Sequence, residues 1–340
     1  MTITVNAYCT HRDPPPLGFA HSLNSRRGRS DPELTEHLNG FIGFVMRMRP
    51  QMTAALYATL RHIERVQTQI SFEVDPAVFD EMVGWAQQAN AIFFMPDGAV
   101  LNPSGAVLVD PSGAPGTAAV PFPADAVLRK QSTDTALAER HIRVPASLPP
   151  VVGETEVQLR SAEDVARRAL ALMLVAVRAE SLSAGEPLPV AELREKLSAG
   201  YDAASPAEHA FLSEEQPPEQ SIVNSVWRYE ALFVLAWALG LFDELPFPDR
   251  ICDVPAVAKA FFDADRARLV SEARLRDASD ILDALDLHYR LHWAARQAMQ
   301  VEHKEPPAGL EPGVLQERHH ALNWLTRFAD AEWDDVDTPT

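Results

Sequence analysis

The chain has 340 residues, 46% of them apolar and 23% charged, which are the proportions of a globular protein long enough for two ordinary domains and exclude a disordered one. Its formal charge of −18 is unevenly placed: residues 1–150 hold 12 Lys+Arg against 14 Asp+Glu, and residues 151–340 hold 18 against 34, a net −2 and −16. An acidic half of this kind repels nucleic-acid backbones and anionic lipid, so neither is an expected partner; solubility or a basic protein partner is what the acidity serves.

Further classes fall away on composition. Cys9 and Cys252 are too few for a disulfide framework or a zinc knuckle. The apolar run near Trp237 is shorter than the roughly 20 residues of a membrane span. No basic-then-apolar leader opens the chain. A cytoplasmic protein without a cofactor is expected.

In chain order, Ile3, Val5 and Ala7 alternate with polar residues as a strand. The run Arg26-Arg27-Gly28-Arg29 reads as a solvated loop. Asp31-Pro32 is an N-cap and first-turn pair, followed on one helical face by Leu34, Leu38, Phe41, Ile42, Val45 and Met48. A second helix covers Met52 to Ile63, and Val66 to Val74 alternates as a half-buried strand. Asp75-Pro76 repeats the capped start for a helix through Phe79, Val83 and Ala86. A short strand follows at Ala91–Met95. Turn signals at Pro96-Asp97-Gly98, Asn102-Pro103-Ser104-Gly105 and Asp110-Pro111-Ser112-Gly113 bracket hairpin strands.

From Arg143 to Glu156 the periodicity fades among Pro145, Pro149, Pro150 and Gly153. The expected organisation is α+β overall: a small α+β accessory domain with an antiparallel sheet over 1–142, a proline-rich linker over 143–156, and a larger all-α domain over 157–340. Within the latter, Ser161 with Asp164 fits a capping box. Helices are expected at Ser225–Phe242, about Pro255–Phe262, Asp265 to roughly His303, and Val314–Asp330.

The chemistry-bearing candidates lie on those helices. No Gly-rich phosphate loop, G-x-S-x-G elbow, H-E-x-x-H or paired C-x-x-C occurs. The segment Trp227-Arg228-Tyr229-Glu230 opens a helix that is apolar on every side, which is the mark of a buried helix, so its charges need partners. Asp286 and Arg290 have ion-pair spacing, Asp283 shares their helix, and Arg318 projects from the apolar stripe of the last helix beside Glu317. A polar network of Arg228, Glu230, Asp286, Arg290, Glu317 and Arg318 between packed helices is therefore expected. It would select one packing, or else line a binding pocket. His288 and His292, one turn apart, could begin a metal site completed by Glu317, His319 or His320; the alternative is two histidines satisfied at a helix interface. Trp227, Trp237, Trp293 and Trp324 are spaced as core residues. Trp333, in the acidic tail, is expected to dock that tail.

The run W-R-Y-E-A-L-F-V-L-A-W-A-L-G-L from Trp227, Cys252-Asp253-Val254, L-D-A-L-D-L-H-Y-R-L-H-W from Leu282, E-R-H-H-A-L-N-W from Glu317 and Trp333-Asp334-Asp335-Val336 together resemble a bacterial domain-of-unknown-function family, that numbered 4272, over about residues 155–338. His292, Arg318, His319 and Asn323 fall on its motif positions, His288 on a freer one, and Pro339 departs from the pattern. The resemblance implies a family without a known activity. The expected function is a non-catalytic protein-binding or regulatory module, which could neutralise a basic partner. The alternative is a hydrolase or metal-dependent enzyme with His292, His319 and Glu230 around an interhelical pocket. A third reading is a structural subunit, marked by a large apolar surface patch.

Overall fold

The structure, a computed structural model, describes residues 2–48, 52–112 and 114–340. The side chains at 44, 45, 47 and 48 and the turn position 113 lie outside that description, and with them the expectations for Val45, Met48 and Gly113. The chain forms two compact units, residues 1–127 with 152–157 and residues 128–151 with 158–340. Of the stretch expected as a linker, 143–151 therefore belongs to the second unit and 152–156 to the first.

The first unit is built on strands β1 (Ile3–Cys9), β2 (Ser22–Gly28), β3 (Thr68–Val74), β4 (Ala91–Phe94), β5 (Val100–Leu101) and β6 (Val107–Val109). They make one antiparallel sheet in the order β2-β3-β1-β4-β5-β6. Its helices are α1 (Pro32–Met48), α2 (Ala54–Glu64) and α3 (Phe79–Ala89), the last entered through a 3₁₀ turn at Pro76–Val78. Period-two alternation sends Val5, Ala7, Ile70 and Phe72 to one face, where α3 covers them with Met82, Trp85, Ala86 and Ala89. Tyr8, Ile92, Val100 and Leu108 point to the other face, against Leu34 of α1 and Ile63 of α2. The expected caps are made: Asp31 and Asp75 accept from the backbone N–H two residues on.

One expectation is overturned here. Arg26, Arg27 and Gly28 lie in β2, paired with Ile70, Gln69 and Thr68, and not in a loop. Backbone pairing decides strand membership at a sheet edge, and charged side chains are at home there.

The second unit is helical. It contains most of α4 (Ala124–Glu139), then α5 (Ala162–Ser183), α6 (Val190–Lys196), α7 (Ser198–Asp202), α8 (Pro206–Ser213), α9 (Glu219–Ala238), α10 (Val254–Asp263), α11 (Arg266–Ser271), α12 (Ala278–Arg296) and α13 (Pro312–Leu325). Helices α5 and α9 form its centre. Leu170–Ala176 and Tyr229–Ala238 are buried without interruption, as expected of helices apolar all round. Ser161 caps α5 by accepting from the Asp164 N–H.

The helix expected over Asp265–His303 is instead α11, an extended break at 272–277, α12, and a π-helical turn at Gln297–Val301. The break has a tertiary cause. Arg276 donates from its backbone N–H to Ala238 O and from its side chain to Trp237 O, Phe242 O and Asp243 O. It thereby gives a donor to Ala238 O at the end of α9 and to the Phe242 and Asp243 carbonyls in the turn that follows. No helix among the described residues is long and apolar enough to cross a membrane.

Helix α7 crosses α5 closely at Gly200. A Cβ placed on Gly200 would lie 2.5 Å from Leu170 O and 2.6 Å from its carbonyl carbon. Gly200→Ala should cost about 1–3 kcal/mol through overpacking. Gly84→Ala, within α3 with nothing within 4 Å of the added carbon, should be neutral or stabilising by up to about 1 kcal/mol. Denaturant titration of both variants checks the contrast; equal effects would show that α7 does not crowd α5.

Candidate functional site: the polar layer between α9, α12 and α13

Arg318 and Glu230 form a buried ion pair between α13 and α9. The Arg318 Nε donates to Glu230 Oε2 at 2.9 Å, with the two side chains 1% and 3% exposed. The other Glu230 oxygen accepts from the Cys252 N–H, and Arg318 Nη1 donates to Pro246 O at 2.6 Å. One ion pair thus ties α9 and α13 to the irregular segment between α9 and α10. Burial, followed by the Glu230 charge, pushes the Cys252 thiol up, so it is an inert thiol.

The other expected charges each have a partner of their own. Arg228 donates to both Glu317 oxygens, at 2.9 and 3.2 Å, in a pair 29% and 14% exposed. Burial raises the Glu317 carboxyl, opposed by Arg228. Asp286 and Arg290 form a fully buried two-bond pair, at 2.8 and 2.9 Å; Arg290 also donates to Pro149 O and lies 3.5 Å from Asp134. Asp283 is exposed and meets Arg129 at 2.7 Å. The expected single network is therefore a set of discrete pairs. The i, i+4 spacing within one helix keeps Asp286 and Arg290 together, while residues on separate helices pair only where those helices cross. Trp227 sits over Gly313, where an added Cβ would meet its ring at 2.7 Å.

The histidines behave differently from one another. His288 Nδ1 bonds to Ala284 O of its own helix at 2.7 Å, and its Nε2 is buried without a partner. His292 and His319 face each other across α12 and α13, with Nδ1 to Nδ1 3.0 Å, so one ring is the donor and the other the acceptor. Both are neutral at pH 7. Burial first and Arg296 second push His292 down to about 4, and burial with the neighbouring histidines holds His319 well below the usual imidazole range. His292 also lines an open depression of about 480 Å³ with Ala295, Arg296, Met299, Gln300, Pro312, Gly313 and Gln316, where the π turn closes α12. The lining contains no hydroxyl, thiol, carboxylate or amine. Glu230 is engaged elsewhere, by Arg318 and Cys252. Among the described residues no group of three or more His, Cys, Asp or Glu side chains is placed to hold a metal ion. The geometry makes His288 a core histidine and His292–His319 a hydrogen-bonded pair.

The tail is part of the same layer. Trp333 is buried against His320 and Trp324, at ring distances of 4.5 and 5.5 Å, with the Arg168 guanidinium 5.1 Å from its centre. Asp334 accepts from the Ser205 hydroxyl and the Ala207 N–H at the start of α8, and Asn323 Nδ2 donates to Asp337 O at 2.8 Å. Sequence reasoning missed Arg168, which pairs with Glu208 in the core, and Asp334 as an α8 anchor. The signal for Arg168 was available: it interrupts the apolar stripe of α5 as Arg318 interrupts that of α13.

The profile of a domain of unknown function, DUF4272, matches residues 129–336, and the chain belongs to that family. No curated protein and no solved structure matches it. The match spans most of the helical unit, including the pairs Arg318–Glu230, Arg228–Glu317 and Asp286–Arg290.

Arg318→Ala should destabilise by about 3–5 kcal/mol, because it leaves Glu230 buried without its cation. Arg228→Ala, at the partly exposed pair, should cost about 1–2 kcal/mol, less than its place in the sequence suggests. Chemical denaturation of the two variants decides the ranking, and a reversed order would move the anchor of the core to Arg228.

Stability should also fall with acid above the range where carboxylates protonate. His292 and His320 titrate near 4 and His288 near 3 when folded, but near 6.5 when unfolded. Between those values the unfolded chain binds more protons, so folding weakens as pH falls from about 7 toward 4, by up to about 1.4 kcal/mol per unit for each histidine. Melting curves from pH 7.5 to 5 test this. A flat profile would mean that these rings are already charged in the fold.

Proposed function

We propose that the helical unit is a non-catalytic binding module whose anionic surface takes a basic protein partner. The observation that carries this reading is where its cations go. The unit holds 22 Lys+Arg against 34 Asp+Glu, a net −12. Six of those arginines (129, 160, 168, 178, 290 and 318) are buried, against three carboxylates, Glu208, Glu230 and Asp286. Setting these interior groups aside leaves −15 on the rest of the unit. The fold thus hides positive charge and displays negative charge, which favours fast, salt-sensitive association with a cationic surface.

The catalytic alternative has less support. A base titrating near 4 has little proton affinity at pH 7. His292 has His319 beside it in place of an orienting carboxylate, and nothing nucleophilic lines the depression next to it.

Affinity capture of the full chain from its native cell extract, eluted with a salt gradient and read by mass spectrometry, tests the proposal. A stoichiometric basic protein released at moderate salt is expected. Capture of nothing, or of a partner indifferent to salt, would count against it.

A further inference from the structure

Five of the six buried arginines of the helical unit have a carboxylate: Arg129 has Asp283, Arg160 has Glu332, Arg168 has Glu208, Arg290 has Asp286 and Arg318 has Glu230. Arg178, 6% exposed near the end of α5, has none within ion-pair distance among the described residues. Its Nη1 donates to Leu188 O and its Nη2 to Glu214 O, each at 3.0 Å, and its Nε is buried without an acceptor. Of five N–H groups, three are left over. A guanidinium with its Nε buried and held only by neutral carbonyls keeps its charge without a counter-ion from the chain, so an anion in reach of its remaining hydrogens would be drawn to it.

Arg178 also lines an open depression of about 410 Å³, within the range of small-molecule sites. Its lining includes the apolar residues Pro187 and Leu188 and Tyr201, and the exposed residues Glu214 and Glu215. A simple anion would meet Arg178 but be repelled by the two glutamates. A simple amine would be drawn to the glutamates and repelled by Arg178. A molecule with a carboxylate and an ammonium a few bonds apart, carrying an apolar group, suits all three features.

We propose that this depression binds a free α-amino acid with an apolar side chain: carboxylate on the remaining Arg178 amino hydrogens, ammonium toward Glu214 and Glu215, side chain against Pro187, Leu188 and Tyr201. The site is separate from the anionic-surface reading and does not rest on it. The amino acid supplies the carboxylate that the other buried arginines find within the chain.

The test is titration of the full chain with L-phenylalanine and L-leucine by calorimetry, beside phenylacetate, which lacks the ammonium, and phenethylamine, which lacks the carboxylate. Saturable binding of at least one amino acid is expected, with both single-ended analogues weaker by about tenfold or more. Arg178→Lys should weaken binding by a similar factor. Because that variant removes a core contact, Leu188→Asp is the companion: Leu188 is 36% exposed, so the melting temperature should hold while the new carboxylate competes for Arg178 and binding is lost. No saturable binding of either amino acid at millimolar concentration would overturn the proposal. So would phenylacetate or phenethylamine binding as tightly as phenylalanine, or unchanged binding in Leu188→Asp.

Discussion

The Arg318–Glu230 pair is the constraint around which the helical unit is arranged. Neither charge can reach water, so each must find the other, and each must also fill its remaining valences: Glu230 with the Cys252 N–H, Arg318 with Pro246 O. The pair therefore fixes more than the crossing of α9 and α13. It also sets the path of the irregular segment from 246 to 252, which has no apolar periodicity of its own to place it. Buried pairs contribute little net stability compared with a well-packed apolar isostere. Their effect is to make alternative packings expensive, because any slip of α13 along α9 would separate two desolvated charges.

The same economy recurs at the unit's other ends. Arg276 closes the C-terminus of α9 and so breaks what the sequence presents as one long helix. Trp333 buries its ring against Trp324 and His320, and Asp334 serves the N-terminus of α8, where a carboxylate meets free N–H groups and the positive end of the helix dipole. An acidic tail that would fray in isolation is thereby part of the core. In each case an arginine, an aspartate or an indole performs a local backbone task at long range in sequence. Inward use of cations at these places is what leaves the outer face so strongly anionic.

Much of this was legible beforehand. The α+β class, the antiparallel sheet, the capped starts at Asp31, Asp75 and Ser161, the buried course of α9 and the docking of Trp333 follow from periodicity, capping chemistry and the cost of exposing a large apolar ring. The candidate polar residues were found because charges inside an apolar stripe stand out. Other features gave weak signals. β2 has a polar, arginine-rich sequence and is a strand only because β3 offers it an edge. Helix α4 is mostly polar along its length, with Leu128 exposed, so its periodicity is faint.

What the sequence determined by itself is the set of elements and the list of groups that must be neutralised, since both depend on short-range rules: a repeat of 2 or 3.6 residues, a cap two or three positions from its amide, a charge among apolar neighbours. Only the tertiary structure decided the pairing. Whether Arg318 meets Glu230 or Glu317, whether His292 faces His288 or His319, and which buried arginine is left without a carboxylate all depend on how helices distant in sequence cross. Within a helix, spacing fixes the partner, as for Asp286 and Arg290; between helices, a shift of one turn moves side chains by about 5.4 Å and changes every partner.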